Sequence, residues 1–197
     1  MIGGHFSLES KPAHPFVKDL PKVIHIYYQK SNEHSWLQLT ATQIYEEVNR
    51  ERPGSKILID SLVKVVFIHT IRTYLEQESS PNGFLLALRD ERISKALKLI
   101  QGAPEKDWKL EVLSKYIGMS RTLFCTKFKD LVGETSLSYL TNWRMIKAKE
   151  ILLSSPEINI RDVATQVGYQ AEASFNRIFK LKTGQTPANY RRKNLLR

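Results

Sequence analysis

A sixteen-residue pattern, F-x-x-x-F-K-x-x-x-G-x-T-x-x-x-Y, is written twice in this chain, the second copy 51 residues after the first. Phe124, Phe128, Lys129, Gly133, Thr135 and Tyr139 carry the first copy. Phe175, Phe179, Lys180, Gly184, Thr186 and Tyr190 carry the second. Upstream, Leu113-Ser114 and Ile117-Gly118 answer Val163-Ala164 and Val167-Gly168 at an offset of 50, so the second turn holds one added residue. A short helix, a glycine turn and a second helix therefore recur. Two copies are too few for a stacked solenoid. A duplicated helix-turn-helix in a basic segment points instead to DNA binding.

The charge is placed accordingly. From Ala103 onward there are 17 Lys/Arg against 9 Asp/Glu, a net of +8, whereas the first 102 residues hold 13 against 11, a net of +2. A segment facing a polyanion carries such an excess, although a generically basic soluble domain does too. The single cysteine, Cys125, excludes an internal disulfide framework and any cysteine-based zinc finger. Gly3-Gly4-His5 stands where a secretory signal would need an apolar run. Residues 57–71 are apolar but interrupted by Asp60, Lys64 and His69, and are shorter than the ~20 residues of a membrane span. A cytoplasmic protein with no membrane partner is expected. Catalysis is not expected. His5, His14, His25, His34 and His69 show no metal-ligand spacing, and the chain has neither a phosphate loop nor a nucleophile elbow. No metal or cofactor is anticipated.

The chain reads as mainly α, divided into 1–102 and 103–197. Pro12, Pro15, Pro21 and the alternation Val23–Tyr28 predict a short extended N-terminal stretch. A helix over about 43–51, capped by Thr40 or Thr42, precedes the break Arg52-Pro53-Gly54. Ser55 opens a long helix to about Gln77 whose apolar positions cover more than one face, so it must bury two sides. After the break Ser79–Gly83, Leu85, Leu88, Ile93, Leu97 and Ile100 predict one amphipathic helix over about 84–101. Beyond Trp108, helices are placed at about 109–117, 120–132, 135–153, 160–167, 171–183 and 187–195. Ser120 caps the second of these, and Gly168 and Gly184 end helices in the left-handed conformation.

In each unit Leu113, Ile117, Phe124 and Phe128, or Val163, Val167, Phe175 and Phe179, form the wedge between helices, with Ser114 or Ala164 small at the crossing. The second helix of such a unit enters the major groove. Helical spacing then turns Thr122, Cys125, Thr126 and Lys129 outward in the first unit, and Glu172, Ala173, Asn176, Arg177 and Lys180 outward in the second. Asn176 suits adenine, Arg177 guanine or a phosphate, Glu172 a cytosine amino group, and Thr122 or Ala173 a thymine methyl. Lys127, Lys129, Lys180 and Lys182 suit phosphates, as do Lys147 and Lys149 on the joining helix. Ser120, at the start of the first recognition helix, joins this phosphate set. For any one of these residues the plain alternative is a solvated helix face. A 135–153 helix is roughly 28 Å long, which with its flanking turns separates the recognition helices by about one DNA turn. Trp143, Met145, Ile146 and Ile151 are assigned to core packing.

These two segments, with their linker and the terminal Pro187-x-x-Tyr190-Arg191, resemble the DNA-binding domain of AraC/XylS-type transcription regulators over about 108–193. The resemblance implies two helix-turn-helix units joined by a long linker helix, reading two major-groove boxes. Base contacts fall on Thr122, Cys125, Thr126, Glu172, Ala173, Asn176 and Arg177. Its implied partners are double-stranded DNA, a second copy of the chain and RNA polymerase. The front half, through His14-Pro15, Leu20-Pro21 and Ile24, is similar to the end of a cupin-type regulatory domain in one AraC subgroup. Helix 55–77 matches the helix that mediates dimerisation there, through Ile57, Leu58, Leu62, Val66 and Ile71. The barrel strands are missing, so the chain reads as a regulator that starts late, and a small-molecule effector is not expected. The rival reading is a barrel-less form that dimerises with a full-length relative and modulates its DNA binding.

Overall fold

The computed structural model describes residues 35–50, 52–77 and 83–195, with the isolated positions 20, 23 and 24. The extended stretch expected near the N-terminus lies outside the described residues, except at those three positions. Ten helices occur among the described residues: α1 Ser35–Arg50, α2 Ser55–Gln77, α3 Gly83–Arg89, α4 Glu91–Gly102, α5 Leu110–Tyr116, α6 Arg121–Val132, α7 Ser136–Ser154, α8 Ile160–Gln166, α9 Glu172–Thr183 and α10 Pro187–Leu195. They fall into two compact units, α1–α2 and α3–α10.

In the first unit, α1 begins eight residues earlier than the predicted 43, at Ser35. Thr40 and Thr42 do not cap it. Their hydroxyls donate back to the Trp36 and Gln38 carbonyls at 2.7 and 2.9 Å, a helix-interior use of threonine. The α1–α2 hairpin is tied by Ser55, whose hydroxyl donates to Glu47 at 2.6 Å, and by the Trp36 and His69 rings, 4.3 Å apart. Ile71 is buried within the chain itself.

The second unit has two cores. Phe84, Ala87, Ile93, Leu97 and Ile100 from α3 and α4 join Leu113, Phe124, Phe128 and Tyr139 in the first. Met145, Ala148 and Leu152 join Val163, Val167, Phe175 and Phe179 in the second. Helix α7 feeds both, Tyr139 and Leu140 at one end and Met145 to Leu152 at the other. Met145 is buried and Ile151 packs against the second core, while Trp143 lies half-buried between them.

One prediction is corrected here. The single helix expected over 84–101 is two helices. Asp90 leaves helical geometry at φ −74°, ψ 115° and its carboxylate accepts the Ile93 amide at 2.9 Å, which starts a new helix. Among the described residues the compact C-terminal unit also takes in α3 and α4, which supply part of the first core. Burial pushes the Asp90 carboxyl upward, but the ion pair with Lys127 and the Ile93 amide outweigh it and hold it below the ordinary value.

Candidate nucleic-acid interface

Both copies of the motif fold in the same way. At the end of α5, Gly118 takes φ 65°, its amide donates to Lys115 and the Met119 amide donates to Ser114 at 3.2 and 3.0 Å. At the end of α8, Gly168 takes φ 86°, with Gly168 to Thr165 and Tyr169 to Ala164 at 3.0 and 2.9 Å. Both are the paired 5→2 and 6→1 closure that a left-handed glycine permits. The chain then re-enters a helix at once. After the first turn Ser120 caps α6 by accepting the Leu123 amide at 3.3 Å, as expected, whereas after the second α9 starts from Ala171 with no side-chain cap, and Asn159 caps the preceding α8 by accepting the Asp162 amide at 2.8 Å. Phe124, Phe128, Phe175 and Phe179 are each 0% exposed, and Ser114 and Ala164 are buried at the crossings.

Because the phenylalanines face inward, the opposite faces of α6 and α9 meet solvent. Thr122, Cys125, Thr126 and Lys129 are exposed on α6, and Glu172, Ala173, Arg177 and Lys180 on α9. Thr122, Cys125 and Thr126 line, with Leu110 and Arg121, a shallow depression of about 450 Å³. Arg121 pairs with Glu111 at 2.9 Å along its edge. Asn176 differs from the expectation. It is half-buried, its amide nitrogen donates to Glu172 at 3.3 Å, and its carbonyl oxygen is buried without a hydrogen-bond partner. Its acceptor is therefore turned inward, and the side chain orients Glu172.

The expected phosphate set divides. Lys129 and Lys180 are exposed and Lys182 is half-buried. Lys127 instead pairs with Asp90, fastening α4 to the flank of α6. Lys147 pairs with Glu150 at 2.8 Å and lies 5.8 Å from the centre of the Trp143 ring. Lys149 lies 5.8 Å from the Tyr190 ring centre, and burial lowers its pKa. The Ser120 oxygen is engaged in its cap. Of the residues assigned to dimerisation, Ile57 and Leu58 are exposed, Leu62 and Val66 are half-buried, and Ile71 is buried.

Sequence reasoning missed the residues that hold this scaffold. Arg144 on α7 donates to the Pro104 and Lys106 carbonyls at 2.7 and 3.0 Å, in the turn before the first unit. Arg191 on α10 donates to the Pro156 and Ile158 carbonyls at 2.8 and 2.6 Å, in the turn before the second. Each unit thus has an arginine fork binding two carbonyls of the chain leading into it. The two arginines are 47 residues apart, not 51, so the repeat does not align them. Gln101 donates to the Tyr139 hydroxyl at 2.6 Å, and burial pushes that phenol up to about 12.

Comparison with known proteins fits this geometry. Residues 113–193 match the helix-turn-helix domain family, and residues 1–76 match the cupin family. The chain is 35% identical over 181 residues to the HTH-type transcriptional regulator AlkR of Acinetobacter baylyi, covering 91% of this chain and 59% of that protein. It is 28% identical over 194 residues to a putative AraC-like transcription regulator of Streptomyces antibioticus, covering 98% and 63%. The chain thus spans about three-fifths of the length of these relatives. Among solved structures, the C-terminal domain of AraT, a response regulator from Geobacillus stearothermophilus, shares 31% identity at a TM-score of 0.51, over 53% of this chain and 86% of that one. With both glycine-turn units and the linker helix in place, and with the sequence match of the front segment to the cupin family, the chain belongs to the AraC/XylS-type family of helix-turn-helix regulators.

Proposed function

We propose that this chain is a sequence-specific transcription regulator that binds double-stranded DNA by laying α6 and α9 into successive major grooves, without catalysing a reaction. The supporting observation is the shared design of the two units, in which the paired phenylalanines are fully buried and the opposite helix face is open. Arg177 and Glu172 carry base readout in the second unit, with Ala173 against a thymine methyl. Thr122, Cys125 and Thr126 make shorter contacts in the first. Lys129, Lys180 and Lys182 set register on phosphates.

Selection of bound sequences from a random duplex pool, at near-physiological salt, tests this reading. Enrichment of two boxes about one helical turn apart is the expected result. A single enriched box would reduce the first unit to a backbone clamp. No enrichment from a folded chain would sink the reading and favour a modulator that acts through a relative.

The chain works as a homodimer in this proposal, in the cytoplasm and with RNA polymerase as a further partner. No helix among the described residues is long and apolar enough to cross a membrane. Dimerisation is supported by α2, where Ile57, Leu58, Val65 and Ile68 are 75, 44, 42 and 48% exposed. They fall within a stripe about 100° wide. Leu58→Glu with Val65→Glu should convert dimer to monomer by light scattering. An unchanged mass would remove α2 from the interface.

A further inference from the structure

Arg144 touches more than the turn before the first unit. Its guanidinium carbon lies 5.4 Å from the centre of the Tyr169 ring, in the turn of the second unit. A Cβ added at Gly168 would stand 2.6 Å from the Glu105 carbonyl oxygen and 2.7 Å from the Arg144 Nη2. The second unit's turn is therefore seated directly on the chain leading into the first, with the Arg144 fork between them. Neighbouring contacts also brace that chain. The Trp143 indole donates to the Gln101 carbonyl at 3.2 Å, and the Trp108 indole donates to Ala103 at 2.7 Å.

Helix α7 alone joins the two cores covalently. Residues 104–106, Arg144 and Gly168-Tyr169 form a second connection away from the α7 axis. Two connections determine both the separation and the relative rotation of two bodies. One base pair changes the distance between two boxes by about 3.4 Å and their phase by roughly 35°. A chain braced in this way should tolerate few spacings, because two linked modules lose their joint affinity when geometry forbids simultaneous engagement.

We propose that Arg144 is a specificity-determining positioning residue: by bridging the 104–106 turn to Gly168-Tyr169, it fixes the separation and phase of α6 and α9, and so the spacing between the two boxes that the chain accepts. It touches no DNA in this scheme. The role rests on the DNA-binding reading above, but its geometric half is measurable without DNA.

The test uses the full chain in a Cys125→Ser background, with spin labels on cysteines placed at the exposed Asp130 of α6 and Leu181 of α9. With the labelled chain diluted in an excess of unlabelled chain, so that a dimer holds one labelled copy, pulsed dipolar spectroscopy should give one narrow distance distribution for the parent. Arg144→Ala should broaden or displace it, and Arg144→Lys should do so to a lesser degree. A lysine can reach one carbonyl but cannot bind two and also hold a planar fork against Tyr169. If Arg144→Ala fails to fold, Arg144→Lys carries the comparison. An unchanged distribution in the folded variants overturns the proposal.

The second arm measures binding, by otherwise unmodified chains, to two-box duplexes with spacers lengthened or shortened by one base pair. Arg144→Ala should reduce the discrimination between spacers by roughly tenfold, while affinity for a duplex carrying either box alone is retained. A variant with a broadened distance but intact spacer discrimination also overturns the proposal. If the parent prefers no two-box duplex at all, the DNA-binding reading has failed, and the distance measurement alone still decides what Arg144 holds.

Discussion

Gly118 and Gly168 occupy the same place in the two units, yet they meet an added methyl group differently. Both have positive φ, at 65° and 86°. A side chain in that conformation costs about 1–2 kcal/mol. Around Gly118 nothing lies within 4 Å of where a Cβ would stand, whereas at Gly168 the Glu105 carbonyl and Arg144 are in the way. Gly118→Ala should therefore cost only the backbone term. Gly168→Ala should add an overpacking penalty of about 1–3 kcal/mol, read from urea denaturation midpoints. Equal losses would mean that the Gly168 seat relaxes freely. At the same scale, Arg177→Ala should weaken binding to the second box by about 1–3 kcal/mol and relax its specificity. Intact affinity and preference would remove Arg177 from the interface. Asn176 illustrates what helical spacing cannot decide. Periodicity places it near the outward face, but the inward turn of its carbonyl depends on neighbours in three dimensions.

Helices α3 and α4 share a compact unit with the two helix-turn-helix units because of what they bury. Phe84, Ala87, Ile93, Leu97 and Ile100 are each 2% exposed or less in the first core. Fully burying a large apolar side chain is worth about 1.5–3 kcal/mol, so removing four of them at once approaches the total stability of a domain, about 5–15 kcal/mol. A fragment beginning at Ala103 should fail to show a cooperative melt of the first unit, while one beginning at Asn82 should melt cooperatively. If both melt alike, α3 and α4 are dispensable to that core. This dependence was not visible in the sequence. Leu85, Leu88, Ile93, Leu97 and Ile100 keep a helical spacing straight through Asp90, which hides the break, and core membership is a tertiary property that local patterning does not contain. Helices α5, α6, α8 and α9 were legible to within a residue or two. Their ends are set locally, by Ser120 at one start and by left-handed glycines at 133 and 184. The start of α1 was not, since the threonines that resembled caps bond within the helix.

Across the whole molecule, the basic excess of the C-terminal half is divided between holding the fold and facing outward. Lys127 is held by Asp90, Lys147 by Glu150 and the Trp143 ring, and Lys149 lies against Tyr190, whereas Lys129 and Lys180 stand exposed on the recognition helices. The arginines divide similarly, with Arg144 and Arg191 binding backbone carbonyls and Arg177 exposed. Net charge alone therefore overstates the number of cations left facing outward. Each phosphate neutralised contributes about −0.9 to the slope of log affinity against log salt, through release of condensed counterions. Lys129→Ala and Lys180→Ala should each reduce that slope by about 1, with weakening that is uniform across sequences. Lys127→Ala should leave the slope nearly unchanged and lower stability instead, because Asp90 then loses the cation that, with the Ile93 amide, holds its carboxyl low. Its folded pKa is depressed, so this stabilisation is present above the unfolded carboxyl pKa and disappears as pH falls through the folded value. The stability gap between the parent and Lys127→Ala should accordingly close on acidification. A slope reduced as much by Lys127→Ala as by Lys129→Ala would mean that the ion pair opens on DNA. The first unit would then recruit a lysine that the free protein keeps for its own fold.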